Sequence, residues 1–206
     1  MLIYLDANIV QYCADYYAPG LRWATHPPDR ELEIELHVLD EIIELAGYAE
    51  VQDLDHSWDV AAPKHLLDEL GRGRPSKEQL NTYRSLREAW HDLGVEKHGL
   101  PDAEAVDRAQ RRFARLNLKD PPDTLHLAEA AAMGAAWFLT LDEEIIKKTR
   151  SKENEPGVIE GLTVGRPSEL RARMTFDPVF GLRLEEISPN LRTRDISEAT
   201  LFPLSE

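Results

Sequence analysis

The chain has 206 residues, of which 42% are hydrophobic and 30% are charged, and this composition is typical of a folded domain of ordinary size rather than of a disordered chain. The apolar runs are far shorter than the roughly 18 residues that a membrane span needs, and the opening segment from Met1 to Asp6 lacks the basic region of a signal peptide. Because Cys13 is the single cysteine, an internal disulfide and a cysteine-based zinc finger are excluded, and we expect a cytoplasmic protein without a membrane segment.

The net charge of -14 is unevenly distributed along the chain. Residues 31–69 contain twelve acids and one base, whereas residues 104–119 contain five bases and two acids. A strongly acidic chain attracts nucleic acid poorly through its overall charge. The basic segment nevertheless keeps nucleic acid open as a partner, provided that its face lies beside the working site.

Four short apolar runs predict β-strands at residues 2–5, 58–62, 137–141 and 162–164. The first and third runs are apolar throughout, which is typical of strands buried on both faces of a parallel sheet. Helical spacing of apolar residues, with Pro and Gly at the boundaries, predicts helices between these strands. They cover residues 37–48, 63–70, 103–116, 123–133 and 143–150, and a last helix begins at Pro167. This alternation predicts an α/β fold with a mostly parallel sheet.

Two polar segments marked by Pro and Gly fit this alternation poorly and are interpreted as insertions, near residues 19–35 and 71–101. We therefore predict one domain over residues 1–170 that carries both insertions. Residues 171–206 would form a C-terminal extension, either packed on the domain or serving as an arm that binds a partner.

Acidic residues follow the predicted strands. Asp6 comes directly after the first strand, and Asp142 follows the third. Asp123 lies in the first turn of a helix, and Glu69 lies in the helix after the second strand. If the strands are neighbours, these acids converge at the edge of the sheet where parallel strands end, which is where ligands bind in such folds.

Four converging carboxylates repel one another by several kcal/mol at an effective dielectric constant near 20, so they need cations or protons. Mg²⁺ and Mn²⁺ prefer oxygen ligands, and such a site supports in-line hydrolysis of a phosphodiester. A simpler interpretation stays open for each acid. Asp6 would be a turn residue, Asp123 would favour the helix dipole, Glu69 would face solvent beside Asp68, and Asp142 would cap a helix.

Four runs of residues, 3–10, 60–70, 123–142 and 164–170, resemble PIN-domain ribonucleases. The most specific is 123–142, which contains Asp-Thr-Leu-His-Leu-Ala, a helix of small residues, a glycine, a strand and Thr-Leu-Asp. The resemblance implies a PIN-like three-layer α/β/α fold and a metal-dependent endoribonuclease. It also implies that one or two Mg²⁺ or Mn²⁺ ions are held by four acids with two supporting residues: Asp6, Glu69, Asp123 and Asp142, supported by Asn8 and Thr140.

The resemblance further implies an RNA substrate and a homodimer. The chain would be either a VapC-like toxin held inactive by an antitoxin or a stand-alone RNA-processing enzyme. A catalytically silent PIN-like module that binds through its insertions or tail is the alternative function. A phosphatase of the haloacid dehalogenase type, which also places an Asp after its first strand, fits poorly, because Asn8 and Val10 occupy positions where that family has other residues.

Three further side-chain groups are open to two interpretations. We expect His126, one turn after Asp123, to pack near the sheet rather than to act in catalysis. Asp120 shares a helix face with Asp123 and is a weaker candidate ligand. The arginine-rich face of residues 108–115 either contacts RNA or is simply solvated.

Overall fold

The computed structural model describes residues 1–17, 29–51, 58–63, 77–153, 155, 157–159 and 161–176. Its centre is an all-parallel sheet of four strands in the order β2-β1-β3-β4. The strands are β1 (Leu2–Leu5), β2 (Asp59–Ala61), β3 (Trp137–Leu139) and β4 (Thr163–Gly165). Helices cover the sheet, which confirms the predicted three-layer α/β/α architecture.

The helices of the described residues lie in the connections between these strands, except for the last helix, which follows β4. They are α1 (Ala7–Tyr17), α2 (Arg30–Val51), α3 (Lys77–Leu86), a π-helix (Arg87–Asp92), α4 (Leu93–His98), α5 (Ala103–Phe113), a 3₁₀ turn (Ala114–Leu116), α6 (Pro121–Ala132), α7 (Glu143–Ser151) and α8 (Pro167–Phe176). Among the described residues, no helix is both long enough and apolar enough to cross a membrane.

Alternating side chains of the strands divide the core into two layers. Ile3 and Leu5 of β1 pack on one face of the sheet with apolar residues of α1, α2 and α8. Leu2 and Tyr4 point to the other face, where α5, α6 and α7 contribute the packing. Because residues of both layers are almost completely buried, β1 is covered on both sides, as its uninterrupted apolar sequence predicts.

The segment from α6 to β3 follows the sequence prediction closely. Pro121 occupies the first helical position, where its missing N–H is not needed. Gly134 ends the helix with a φ of 74°, a left-handed conformation that glycine adopts without strain. The chain then enters β3 three residues later, beside β1.

The structure differs from the sequence prediction mainly in segments that are polar. α2 begins at Arg30, inside the predicted insertion near 19–35, and the carboxylate of Asp29 accepts a hydrogen bond from the backbone N–H of Leu32 at 2.9 Å. Residues 77–98 of the other predicted insertion are helical and bury Trp90 and His91. α8 continues to Phe176, past the predicted boundary at residue 170. The helix predicted over 63–70 falls on residues outside the described part, except for Pro63.

A carboxylate site at the carboxyl edge of the sheet

The strand order creates a topological switch point between β1 and β3. From β1 the chain crosses to β2 on one side of the sheet, and it later enters β3 on the other side. The helices that follow β1 and β3 therefore lead away in opposite directions, and in open α/β sheets ligands bind at the carboxyl ends of the two strands that flank such a point. Asp6 follows β1 directly, and Thr140 and Asp142 follow β3.

Asp6 is held rigidly at this edge. Its side chain is buried, and its backbone N–H donates to the carbonyl oxygen of Leu139 at 2.9 Å. Oδ1 accepts from the backbone N–H of Ala7 at 2.8 Å and lies 3.2 Å from Nδ1 of His126, while Oδ2 accepts from Oγ1 of Thr140 at 2.7 Å. These donors stabilise the ionised carboxylate and fix its direction.

Thr140 joins Asp6 to Asn8 and Asp142. Its hydroxyl donates to Asp6 and accepts from Nδ2 of Asn8 and from the backbone N–H of Asp142, each at 3.0 Å. The hydroxyl thereby uses its one donor and both lone pairs. Oδ1 of Asn8 also accepts from the backbone N–H of Leu141 at 3.4 Å. The two residues to which the resemblance assigns a supporting role thus lie in one network with Asp6.

Asp142 caps helix α7 with one of its two oxygens. Oδ1 accepts from the backbone N–H groups of Glu144 at 2.7 Å and Ile145 at 3.2 Å, so the simpler interpretation of this residue holds. Oδ2 receives no hydrogen bond from any described residue, and the side chain is half-buried at the edge. Oδ1 therefore caps α7, and Oδ2 is available to a ligand.

Asp123 experiences the electrostatic field of the other acids. It is half-buried in the first turn of α6 and forms no hydrogen bond or ion pair with the rest of the described chain. Burial raises the pKa of Asp123 to about 7, and the negative charges of Asp6, Asp120 and Asp142 contribute in the same direction, while His126 opposes them. The aspartates predicted from the sequence are thus brought close enough to interact by charge.

The structure places the remaining candidates in different ways. Glu69 and its neighbour Asp68 lie outside the described residues. Asp120 occupies the N-cap position of α6 without capping it through its side chain, and it acts on Asp123 as a second negative charge.

The donor set of this edge fits a hard divalent cation by its chemistry. It consists of carboxylate oxygens with a surplus of negative charge. A bound cation would offset the burial and the repulsion that together raise the pKa of Asp123. In the described part of the chain, no three side chains of His, Cys, Asp or Glu form a group arranged to hold a metal ion. The described aspartates are therefore coupled electrostatically without forming a closed cage.

The sequence pattern predicts only a packing role for His126. It packs near the sheet, as expected, but it is also buried with Nδ1 beside the carboxylate of Asp6. When Asp6 is ionised, this nitrogen must carry the hydrogen to form the bond. The sequence signal that could have identified His126 as a site residue is its position three residues after Asp123. This spacing places both side chains on one face of α6. One turn further along, Glu129 accepts a hydrogen bond from the hydroxyl of Tyr4 at 2.8 Å below the site.

Comparisons with protein-family models, with curated proteins and with solved structures find no match to this chain. The resemblance to PIN-domain ribonucleases stays a prediction from the sequence motifs. The candidate site consequently rests on its own residues, their hydrogen bonds and their charges.

Proposed function

We propose that this protein is a metal-dependent endoribonuclease that hydrolyses RNA phosphodiester bonds at the carboxyl edge of its sheet. The observation that carries the proposal is the convergence of Asp6 and Asp142 at the switch point, where both contact the hydroxyl of Thr140. The raised pKa of Asp123, caused by burial and by the charges of Asp6, Asp120 and Asp142, supports it. Uncompensated carboxylates destabilise a folded protein, so their grouping favours a function that requires negative charge. Binding one or two Mg²⁺ or Mn²⁺ ions is such a function.

The side chains would divide the work in the following way. Asp6 offers a fixed charge, since Thr140 and His126 hold its oxygens in place. Asp123 and Asp142 supply oxygens that no described residue occupies, and Glu69 is the fourth ligand implied by the resemblance. Mg²⁺ or Mn²⁺ bound here supplies a Lewis acid that activates water and neutralises the charge of the phosphodiester.

The partners follow from the same resemblance. RNA is the proposed substrate, and the hydrolase would be either the toxin of a toxin–antitoxin pair, bound by an antitoxin protein, or an independent RNA-processing enzyme. A homodimer is proposed on the same grounds. The burial of Asp6 argues against a phosphatase in which this residue attacks the substrate, because a nucleophile must reach the phosphorus atom.

A catalytically silent binding module is the second candidate. It is favoured by the helix cap that Asp142 forms and by the lack of a closed group of three metal ligands among the described residues. In such a module the network around Thr140 would only connect β1 to β3.

Cleavage of a mixed single-stranded RNA pool tests the two candidates. The wild-type protein is assayed with Mn²⁺ or Mg²⁺ and with EDTA, beside the double variant Asp6→Asn/Asp123→Asn. Asp102→Asn is the matched control, because it replaces an exposed Asp that caps α5 with another good capping residue. We expect metal-dependent cleavage by the wild type and by the control, and none by the double variant.

Folded protein that neither cleaves the pool nor binds Mn²⁺ in a calorimetric titration would contradict the ribonuclease and favour the binding module. Binding of Mn²⁺ without cleavage would indicate a narrow RNA substrate or a bound inhibitor.

A further inference from the structure

A strip of basic side chains lies beside the carboxylate site, along α7 and the loop before α6. We define the basic strip as Arg115, Lys119, Lys148 and Lys152. These four bases pair with only two acids. Glu144 is shared by Lys119 at 3.2 Å and Lys148 at 2.7 Å. The second acid is Glu155, which follows α7 and is shared by Arg115 and Lys152. Two positive charges are therefore left over on a chain whose net charge is -14.

The strip is connected to the carboxylate site through the backbone. The N–H of Glu144 donates to the capping oxygen of Asp142 at 2.7 Å, and the N–H of Lys119 donates to the side chain of Glu144 at 3.2 Å. Lys119 also directly precedes Asp120, whose charge acts on Asp123. One end of the strip consequently adjoins the acidic edge, while the other end follows α7, whose nine residues span about 13 Å.

The loop that carries Lys119 is fixed in place. Asn117 adopts the left-handed conformation, with a φ of 51°, and ends the 3₁₀ turn after α5. Its carbonyl oxygen accepts a hydrogen bond from the ammonium group of Lys148 on α7. The loop and the helix therefore hold the strip together before any ligand arrives, which lowers the entropy cost of binding.

The ion pairs of the strip are exposed and exchangeable. The side chain of Lys119 is 87% exposed and that of Arg115 is 56% exposed. Exposed ion pairs of this kind contribute only about 0–1 kcal/mol, so an incoming phosphate can replace a glutamate as partner. Arg111 lies four residues before Arg115, is exposed, and has no hydrogen bond or ion pair to the described residues, so it extends the positive surface along α5.

We infer that the basic strip binds the phosphate backbone of single-stranded RNA next to the carboxylate site. The inference rests on the proposed ribonuclease function, because an acidic site repels an RNA backbone unless cations lie beside it. Phosphate contacts of this kind position a strand without reading its sequence. The strip therefore gives the enzyme an orientation for its substrate and leaves base recognition to other residues.

The test measures binding rather than cleavage. The full chain is titrated in EDTA into a fluorescein-labelled single-stranded RNA of mixed sequence, and the fluorescence anisotropy is measured. The titration is repeated from 50 to 300 mM KCl, because the Debye length is roughly 10 Å at 0.1 M and screening of exposed charges changes strongly around this concentration. The variant is Arg115→Gln/Lys119→Gln. The matched control is Arg84→Gln/Lys77→Gln on α3, which removes the same two charge types from exposed positions away from the strip.

We expect the strip variant to bind RNA roughly tenfold more weakly than wild type at 0.1 M salt, with its salt slope reduced by about 1.4, because each lost contact to a single strand removes about 0.7. The control should differ from wild type by less than about twofold, since it changes net charge alone. Equal affinities and slopes for the two variants would overturn the inference. Lys119→Gln alone, at the most exposed position, keeps the test valid if the double variant unfolds.

Other outcomes separate this inference from the proposed function. Strip-dependent RNA binding by a chain that neither cleaves RNA nor binds Mn²⁺ would support the inference and contradict the ribonuclease. Cleavage that the strip variant performs with unchanged KM would overturn the inference alone. Binding of a labelled polyglutamate peptide, lost in the strip variant while RNA binding is unchanged, would also overturn it and assign the strip to an acidic protein partner.

Discussion

Two aspartates at opposite edges of the sheet have opposite electrostatic environments. Asp59 begins β2, and it pairs with Lys97 at 3.0 Å and with His98 at 2.9 Å. Partial burial alone raises the pKa of Asp59, but the hydrogen bonds from Lys97 and His98 outweigh it, so the pKa lies below its ordinary value. Asp123 at the other edge is half-buried near three other aspartates, and burial and these negative charges raise its pKa to about 7.

The difference separates a carboxylate whose charge is neutralised by side chains of the protein from one that we propose to bind a cation. Asp59 has cationic partners, so its charge is already neutralised within the protein. Asp123 has a buried histidine and three other carboxylates near it, so its charge is compensated only when a proton or a cation arrives. We therefore predict that an Asp→Asn substitution has different effects on RNA cleavage and on the pH dependence of stability at positions 59 and 123.

The largest expected effect is on RNA cleavage. Asp123→Asn removes an oxygen ligand and one negative charge, and we expect a loss of roughly a thousandfold in kcat/KM, the magnitude found for removal of a group that stabilises the transition state. Asp59→Asn changes an ion pair at the opposite edge and should stay within about twofold of wild type. Single-turnover cleavage of one labelled RNA in Mn²⁺ measures both, and equal losses in the two variants would remove the distinction between the edges.

The network that fixes Asp6 should contribute substantially to stability. Thr140→Val keeps the shape of the side chain but leaves Asp6 without its hydroxyl donor and Asn8 without its acceptor. We expect a loss of about 2–3 kcal/mol in the free energy of unfolding, because buried polar groups are left unsatisfied. Thr140→Ser retains the hydroxyl and should lose less than about 1 kcal/mol. Urea unfolding at pH 7 gives both values, and a stable Thr140→Val variant would show that the network is not required.

The pH dependence of stability should differ in sign between the two aspartates. Because the pKa of Asp123 is higher in the folded state, the folded protein binds more protons between about pH 4 and 7 than the unfolded chain, and stability falls as the pH rises through this range. Asp123→Asn should therefore raise the Tm at pH 8 and change it little at pH 4. Since Asp123 is half-exposed, solvent screening limits the gain to about 1–2 kcal/mol, or roughly 2–8 °C.

Asp59 gives the opposite result. Because the pKa of Asp59 is lowered in the folded protein, its ionised carboxylate stabilises the fold at pH values above the pKa that it has in the unfolded chain. This stabilisation is lost as the pH falls through the pKa of the folded protein. Asp59→Asn should lower the Tm slightly at pH 8, by less than the equivalent of about 1 kcal/mol, because the pair is partly exposed. Thermal unfolding in EDTA across pH 4–8 tests both signs, and a decrease in Tm for Asp123→Asn at pH 8 would contradict the proposed environment of this residue.

The predictability of the fold varied with the clarity of the local signal. The run from Pro121 to β3 was predicted closely, because Pro, Gly and an uninterrupted apolar strand each restrict the backbone. The helices over residues 77–98 were not predicted, because their polar composition resembles a loop and the burial of Trp90 depends on distant packing. The start of α2 had a local signal in Asp29, an acceptor placed before a helical run.

The site was predictable in position and less so in its contacts. Parallel strands end at one edge, so Asp6 and Asp142 come near one another if β1 and β3 are neighbours, a condition that the structure meets. The hydrogen bond between His126 and Asp6 joins residues 120 positions apart, and spacing along one helix does not specify such a partner. The cap formed by Asp142 uses only Oδ1, so the helix cap and the proposed ligand role concern different oxygens of the same side chain.

The central claim is that a divalent cation binds the carboxylate edge and displaces the proton of Asp123. A calorimetric titration of the wild-type protein with Mn²⁺ at pH 7, repeated in two buffers with different ionisation enthalpies, measures the binding and the protons released together. Because the pKa of Asp123 is raised to about 7, part of the protein population carries a proton on Asp123 at this pH, so we predict that cation binding releases protons. Asp123→Asn should abolish both the release and most of the affinity, while Asp59→Asn should retain them. Absence of binding, or equal binding by Asp123→Asn and wild type, would contradict the account.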